Sequence, residues 1–213
     1  MWAATRVLAI RHGETAWNAD SRIQGQLDID LNDIGRWQAE RMAQSLAGET
    51  FDAIYSSDLS RARATAEALA AIAGPEVRSD PGLRERGFGV FEGRSYREIE
   101  NELPEQAARW RRREPDFGAE GGETLAGFYD RAIASATRLA ARHPGQSIVL
   151  VTHGGVLDCL YRAATRIDLQ APRTWTLGNT SLNRLLHTEG GFTLIGWGDS
   201  HHLDRAGGDD AST

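Results

Sequence analysis

The 213-residue chain contains no lysine, and all 24 of its basic residues are arginines. That absence excludes Schiff-base chemistry and the phosphate-gripping lysine of P-loop proteins. A single cysteine, Cys159, excludes an internal disulfide framework and fits a reducing compartment. Its setting, Val156-Leu157-Asp158-Cys159-Leu160-Tyr161, reads as a helix with Cys159 in the core. No apolar run approaches membrane-spanning length, and no basic stretch followed by a long apolar one opens the chain. The expectation is a soluble, cytoplasmic protein. The net charge of −6 weighs against general binding to nucleic acid or to an anionic membrane. An anion site must then be a local cluster of arginines acting against the overall field, and the planar guanidinium fork suits phosphate or carboxylate.

One pattern occurs twice. Arg6–Ile10 (RVLAI) runs into Arg11-His12-Gly13-Glu14-Thr15, and Ser147–Val151 (SIVLV) runs into Thr152-His153-Gly154-Gly155. Each is an apolar, β-branched run of strand length closed by a polar residue, a histidine and a glycine. Such runs read as buried parallel strands, whose carboxyl ends open onto the ligand crevice of an α/β sheet. Gly13 is expected to let the backbone turn sharply towards a ligand, and Arg11 sets a permanent cation beside the imidazole. That cation disfavours imidazolium and keeps His12 neutral, which suits a nucleophile meeting an anionic electrophile. It suits a metal ligand poorly, and no H-E-x-x-H or Cys/His spacing supports a metal site. His153 pairs with it as a second ligand for the anion, with Gly154 and Gly155 offering backbone N–H groups at a helix N-terminus.

The rest of the chain alternates between strand and helix patterns. Helical spacing covers Asp33–Leu46, Ser60–Ile72 and Glu123–His143, the last being the longest amphipathic stretch. Short strands are expected over Phe51–Ser56 and Glu76–Arg78, and a loop over Pro81–Arg94. Ser95–Arg113 reads as one or two short helices broken near Pro104. Ser181–His187 and Phe192–Trp197 form a hairpin across Glu189-Gly190-Gly191. These elements predict a three-layer α/β/α sandwich with a mostly parallel sheet, one domain over 1–203 and a disordered tail over 204–213.

Two further residues carry chemistry. Arg61 falls in the first turn of a helix with Ser60 as the expected N-cap, where the helix dipole disfavours a cation, so an anion-clamping role is expected. Arg63 faces elsewhere and is read as solvated. Glu85, in Leu83-Arg84-Glu85-Arg86-Gly87-Phe88, lies in a glycine-rich loop with Phe88 and Phe91. A carboxyl group there can supply the proton a departing alkoxide needs.

Arg11-His12-Gly13-Glu14-Thr15, Ser57-Asp58-Leu59-x-Arg61-Ala62-x-x-Thr65, Leu83-x-Glu85 and Thr152-His153-Gly154-Gly155 together resemble the histidine phosphatase superfamily. The branch resembled contains the cofactor-dependent phosphoglycerate mutases and their phosphatase relatives. The match runs in order from residue 6 to about 198. The resemblance implies that His12 attacks phosphorus and becomes phosphohistidine. Arg11, Arg61 and His153 would hold the equatorial oxygens, and Glu85 would act as acid and then base. It also implies substrate contacts at Asn18, Gln24, Gly25, Gly154 and Asn179, with Asn179 and Ser181 in a turn beside the second histidine.

Mutases of that branch carry a lysine after the glutamate loop and a long basic insert. Here Tyr96 or its neighbours stand where the lysine would fall, and the segment from Glu85 to Gly121 is short. The expectation is a phosphomonoester hydrolase for a small phosphorylated metabolite, without metal or cofactor, alone or as a homodimer. The alternatives are a mutase using 2,3-bisphosphoglycerate, for which Arg111–Arg113 would supply positive charge, and a non-catalytic phospho-ligand binder.

Overall fold

The computed structural model describes residues 3–204. Strands β1 (Thr5–Arg11), β2 (Ala53–Ser56), β3 (Val77–Ser79), β4 (Ser147–Thr152), β5 (Leu182–Thr188) and β6 (Gly191–Asp199) form one sheet in the order β3-β2-β4-β1-β5-β6. The first four run parallel, and β5 and β6 are antiparallel at one edge. Side chains alternate across β1. Val7 and Ala9 enter one core with Leu150, Leu157 and Phe128, while Leu8 and Ile10 enter another with Met42, Leu69 and Val151. Both faces are thus buried, which is why β1 and β4 read as continuous apolar runs rather than alternating ones.

Helices α2 (Asp33–Ser45) and α3 (Ser60–Ala73) cover the second face, while α6 (Leu125–Ala140) and α7 (Gly154–Thr165) cover the first. The expected three-layer α/β sandwich is the observed one. Short helices α1 (Ala16–Ala19), α4 (Tyr96–Glu102) and α5 (Pro104–Arg111) decorate the carboxyl ends of the strands. There Ile23, Phe91, Ile99, Ala107 and Phe117 form a third, smaller cluster. Pro104 opens α5 at a position where its missing N–H costs nothing, which explains the break.

Several boundaries differ from expectation. The long helix begins at Leu125, because the Thr124 hydroxyl accepts the Gly127 amide as its cap. Pro81–Leu83 and Gly89–Phe91 form 3-10 turns inside the expected loop. Ser60 is not the cap of α3. Leu59 holds that position, the Ser57 hydroxyl accepts its amide at 3.3 Å, and the Ser60 hydroxyl and amide both bind Asp28. The tail expected over 204–213 lies, except for Asp204, outside the described residues.

Candidate active site

Register brings the two histidine motifs together. In the parallel β1–β4 pair Arg11 stands opposite Thr152, so His12 and His153 leave adjacent strands at the same level. Their ring centroids lie 5.1 Å apart, and both side chains are buried. His12 Nδ1 lies 2.7 Å from the Gly13 carbonyl, which can only accept, so Nδ1 carries the proton. In the neutral ring this puts the lone pair on Nε2, which has no hydrogen-bond partner among the described residues.

Burial is the main force holding His12 well below its ordinary pKa, with Arg61 second and Arg11 third. The neutrality expected from Arg11 alone is therefore chiefly a consequence of packing. Burial, then Arg61, holds His153 well down in the same way. His153 caps α7 without a side-chain bond to its backbone; its Nε2 sits 2.9 Å from the Ser57 hydroxyl.

Gly13 is needed for a different reason from the expected one. Its φ is not in the left-handed region, and a Cβ there would collide with the Gly35 carbonyl at the start of α2. The close approach is to the protein's own backbone. The Gly13 amide donates to Thr65 Oγ1 on α3 at 3.0 Å, fixing the loop that carries His12.

Two guanidiniums face the same cleft. Arg61, fully buried, donates to the Leu27 and Gly25 carbonyls at 2.8 Å each, and its Nε is left without a partner. Burial pulls its pKa down to about 10, against the pull of Glu85 and Asp28, so it remains a cation at neutral pH. Arg11 donates to the Leu177 carbonyl, and its Nε is likewise unpartnered. Burial lowers its pKa, Glu85 opposes the fall, and Arg173 adds to it.

Glu85 completes the set. Its Oε1 accepts the Arg86 amide at 2.8 Å and its Oε2 accepts the Gly155 amide at 3.0 Å. Gly155 therefore holds the carboxylate rather than offering its N–H to an anion, contrary to expectation, whereas Gly154 does line the cleft. Arg131 on α6 fixes the loop behind Glu85. It donates to the Gly82, Arg84 and Glu85 carbonyls and grips Glu123 with two nitrogens at 2.7 Å.

The cleft holds about 920 Å³, far more than a phosphate needs, and is lined by seven arginines against three carboxylates. In a chain of net charge −6, this is the local cationic cluster that the composition required. Asn18, Gln24 and Gly25 line it. Asn179 does not. Its amide donates to the His12 carbonyl at 2.9 Å, and the Thr180 amide donates to the Arg11 carbonyl. That turn, with Ser181, supports the first histidine rather than the second, because β5 pairs with β1.

Among the described residues no group of three or more His, Cys, Asp or Glu side chains gathers in a metal-binding arrangement, and no helix is long and apolar enough to cross a membrane. The motif reading gave no role to Ser57 or Thr65, although both stand in the run that carries the resemblance, and it did not single out Arg131 or Arg173.

A family model described as histidine phosphatase superfamily (branch 1) matches residues 7–200. The chain belongs to that superfamily. Among its curated relatives is phosphoglycerate mutase-like protein 4 of Arabidopsis thaliana, 41% identical over 94% of this chain and 88% of that protein. A metal-independent phosphoserine phosphatase from the same plant is 36% identical over 95% and 85%. Among solved structures, a mycobacterial glucosyl-3-phosphoglycerate phosphatase superposes with a TM-score of 0.80 at 32% identity, covering 90% of this chain and 98% of that one. In this histidine phosphatase, then, the motifs that suggested the family are the ones its sheet gathers at one end.

Proposed function

We propose that the protein hydrolyses small phosphomonoesters through a phosphohistidine on His12. One observation carries the reading. A neutral imidazole with a free Nε2 shares a cleft with Arg11 and Arg61, whose buried Nε atoms lack protein partners, and with Glu85. Buried donors with no partner are costly, and a tetrahedral dianion satisfies them. His153 joins them. Ser57 Oγ already accepts the Leu59 amide, so its proton is free to go to His153 Nε2. Nδ1, buried and unpartnered, then carries the ring proton for a phosphoryl oxygen.

His12 Nε2 attacks phosphorus while the bond to the leaving oxygen breaks, and Glu85 supplies that oxygen with a proton. Glu85 then takes a proton from water, whose oxygen attacks the phosphohistidine. Inorganic phosphate leaves and His12 is again neutral. Arg11, Arg61 and His153 stabilise the charge on the equatorial oxygens in both steps. Because this clamp already meets the dianion's charge, no metal is required. Gln24, with a buried and unpartnered Oε1, and Asn18 are contacts for the substrate beyond the phosphate.

The observations favour water over a second substrate hydroxyl as the acceptor. Arg111, Arg112 and Arg113 are each held by a carboxylate, in Glu100, Glu114 and Asp158. Each is therefore already paired, Arg111 and Arg112 at the surface and Arg113 against buried Asp158, and Tyr96 lines the cleft where a lysine was the mutase expectation. The test is His12→Ala. It should abolish hydrolysis of p-nitrophenyl phosphate and the acid-labile labelling of the protein by a phosphorylated substrate. Undiminished hydrolysis would reject the nucleophile.

A further inference from the structure

The same cleft has a second polar centre that the chemistry at phosphorus does not use. Asp158, on the first turns of α7, is buried with its side chain 8% exposed and lines the cleft. Its Oδ2 is occupied twice, accepting Arg113 at 2.7 Å and Arg162 Nε at 3.0 Å. Its Oδ1 is buried and has no partner. Trp175 lines the cleft too, and its buried Nε1 also lacks a partner.

Neither side chain is free to turn away. Arg162 is fully buried, donates to the Asp168 and Ala171 carbonyls, and lies 4.8 Å over the Trp175 ring. Tyr161 stacks on Trp175, with ring centroids 4.0 Å apart. Arg113, held in the left-handed region at φ 54°, is tied to the Leu169 carbonyl as well as to Asp158. A buried acceptor and a buried donor, each fixed and each unsatisfied, cost stability unless a ligand meets them.

The geometry points to a leaving-group subsite in which Asp158 Oδ1 accepts from, and Trp175 Nε1 donates to, a free hydroxyl on the alcohol that departs. A hydroxyl is the small group that both donates and accepts. An ammonium only donates, and here it would meet one carboxylate flanked by two guanidiniums, a cluster with net positive charge. A carboxylate only accepts, and it would face Oδ1. The substrate class is therefore a phosphomonoester of a polyol or sugar, rather than of a simple alkanol. This inference rests on the phosphatase reading above and names the substrate of that same site.

The experiment compares kcat/KM for glycerol 3-phosphate, propyl phosphate and O-phosphoethanolamine in the protein and in Trp175→Phe. Phenylalanine keeps one aromatic ring against Tyr161 and removes the indole donor together with the second ring. In the unaltered protein glycerol 3-phosphate should exceed propyl phosphate by about tenfold or more, as a site built to bond a hydroxyl requires. In Trp175→Phe that ratio should fall towards one. Equal rates for the two esters in the unaltered protein, or a ratio unchanged in the variant, would overturn the subsite. Phosphoethanolamine outrunning glycerol 3-phosphate would also overturn it, by making Asp158 a reader of cations. Calorimetric binding of the same three esters to His12→Ala repeats the comparison without turnover. A protein that binds with the expected order but hydrolyses none would sink the phosphatase reading and leave the subsite standing. Loss of the order in binding would sink the subsite alone.

Discussion

The Gly155 amide donates to Glu85 Oε2 at 3.0 Å, joining the first turn of α7 to a loop 70 residues away in sequence. The bond aims a carboxylate with the positive end of a helix, and it depends on a hydrogen at residue 155. A Cβ built there would run into Glu85 Oε1 and the Phe128 ring.

Gly155→Ala should therefore displace Glu85 without unfolding the protein. A loss of about 10²-fold in kcat is expected on an alkyl phosphate, within the range attributed to a general acid. On p-nitrophenyl phosphate, whose leaving group needs little protonation, the loss should be several-fold smaller. Steady-state kinetics on the two esters checks this. Equal losses on both would mean that Glu85 does not protonate the leaving oxygen.

Stability should depend on pH through the two buried imidazoles. In the unfolded chain they take up protons as pH falls through about 6.5. In the folded protein burial, reinforced by Arg61, keeps them neutral well below that. The unfolded state then binds more protons, so stability is full above about pH 6.5 and falls as pH drops below it. Each histidine contributes a slope of up to about 1.4 kcal/mol per pH unit. Burial lowers His187 and His202 as well, while Asp199 raises the exposed His201, so the decisive quantity is a difference. Urea unfolding from about pH 5 to 7 should give a shallower slope for His12→Gln/His153→Gln than for the unaltered protein. Identical slopes would mean that the two rings are not held neutral.

The legible parts of the molecule were those fixed by local pattern. The strand–His–Gly runs announced β1 and β4, since buried parallel strands need unbroken apolar stretches and the residue after each strand must face the crevice. Arg61 was legible because a cation in a first helical turn opposes the dipole. What depended on packing was not. His12 owes its neutrality more to burial than to adjacent Arg11, and burial has no local signature. Gly155 looked like a free anion-binding amide until Glu85 was seen to occupy it. Ser60 looked like a cap, but Asp28, 32 residues back, takes its hydroxyl. Asp158 and Trp175 sit in an ordinary amphipathic helix and an ordinary loop. Only the fold brings both residues to the cleft and leaves those atoms without partners among the described residues.

Arg61 offers a test of shape against charge. Its two terminal nitrogens each hold a loop carbonyl, while Nε has no partner among the described residues and is the proposed phosphate contact. A lysine keeps the charge and three donors, but all three sit on one nitrogen, so it cannot span both loop carbonyls and a third acceptor as a planar guanidinium does. Arg61→Lys should lose about 10²- to 10³-fold in kcat/KM, the range seen when one preorganised donor to a developing anion is removed. Activity within a few-fold of the unaltered protein would show that charge alone suffices there.

Arginine pairing also decides where the phosphoryl group goes. A mutase must hold a bisphosphate until its phosphoryl group returns to a second hydroxyl, which takes free cations beyond the clamp. Here Arg111 is bound to Glu100, Arg112 to Glu114 and Arg113 to Asp158. Arg173 is exposed, lines the cleft and has no ion-pair partner among the described residues, so it remains for a second anionic group. Hydrolysis of phosphomonoesters should therefore exceed conversion of 3- to 2-phosphoglycerate when 2,3-bisphosphoglycerate is supplied. EDTA should leave that hydrolysis unchanged under the proposed mechanism, in which guanidiniums take the place of a metal at the dianion. Phosphorus NMR of both reactions in one tube reads the partition directly. Efficient bisphosphoglycerate-dependent isomerisation would make the protein a mutase, and activity lost to EDTA and restored by magnesium or zinc would require a metal that the arginine clamp was meant to replace.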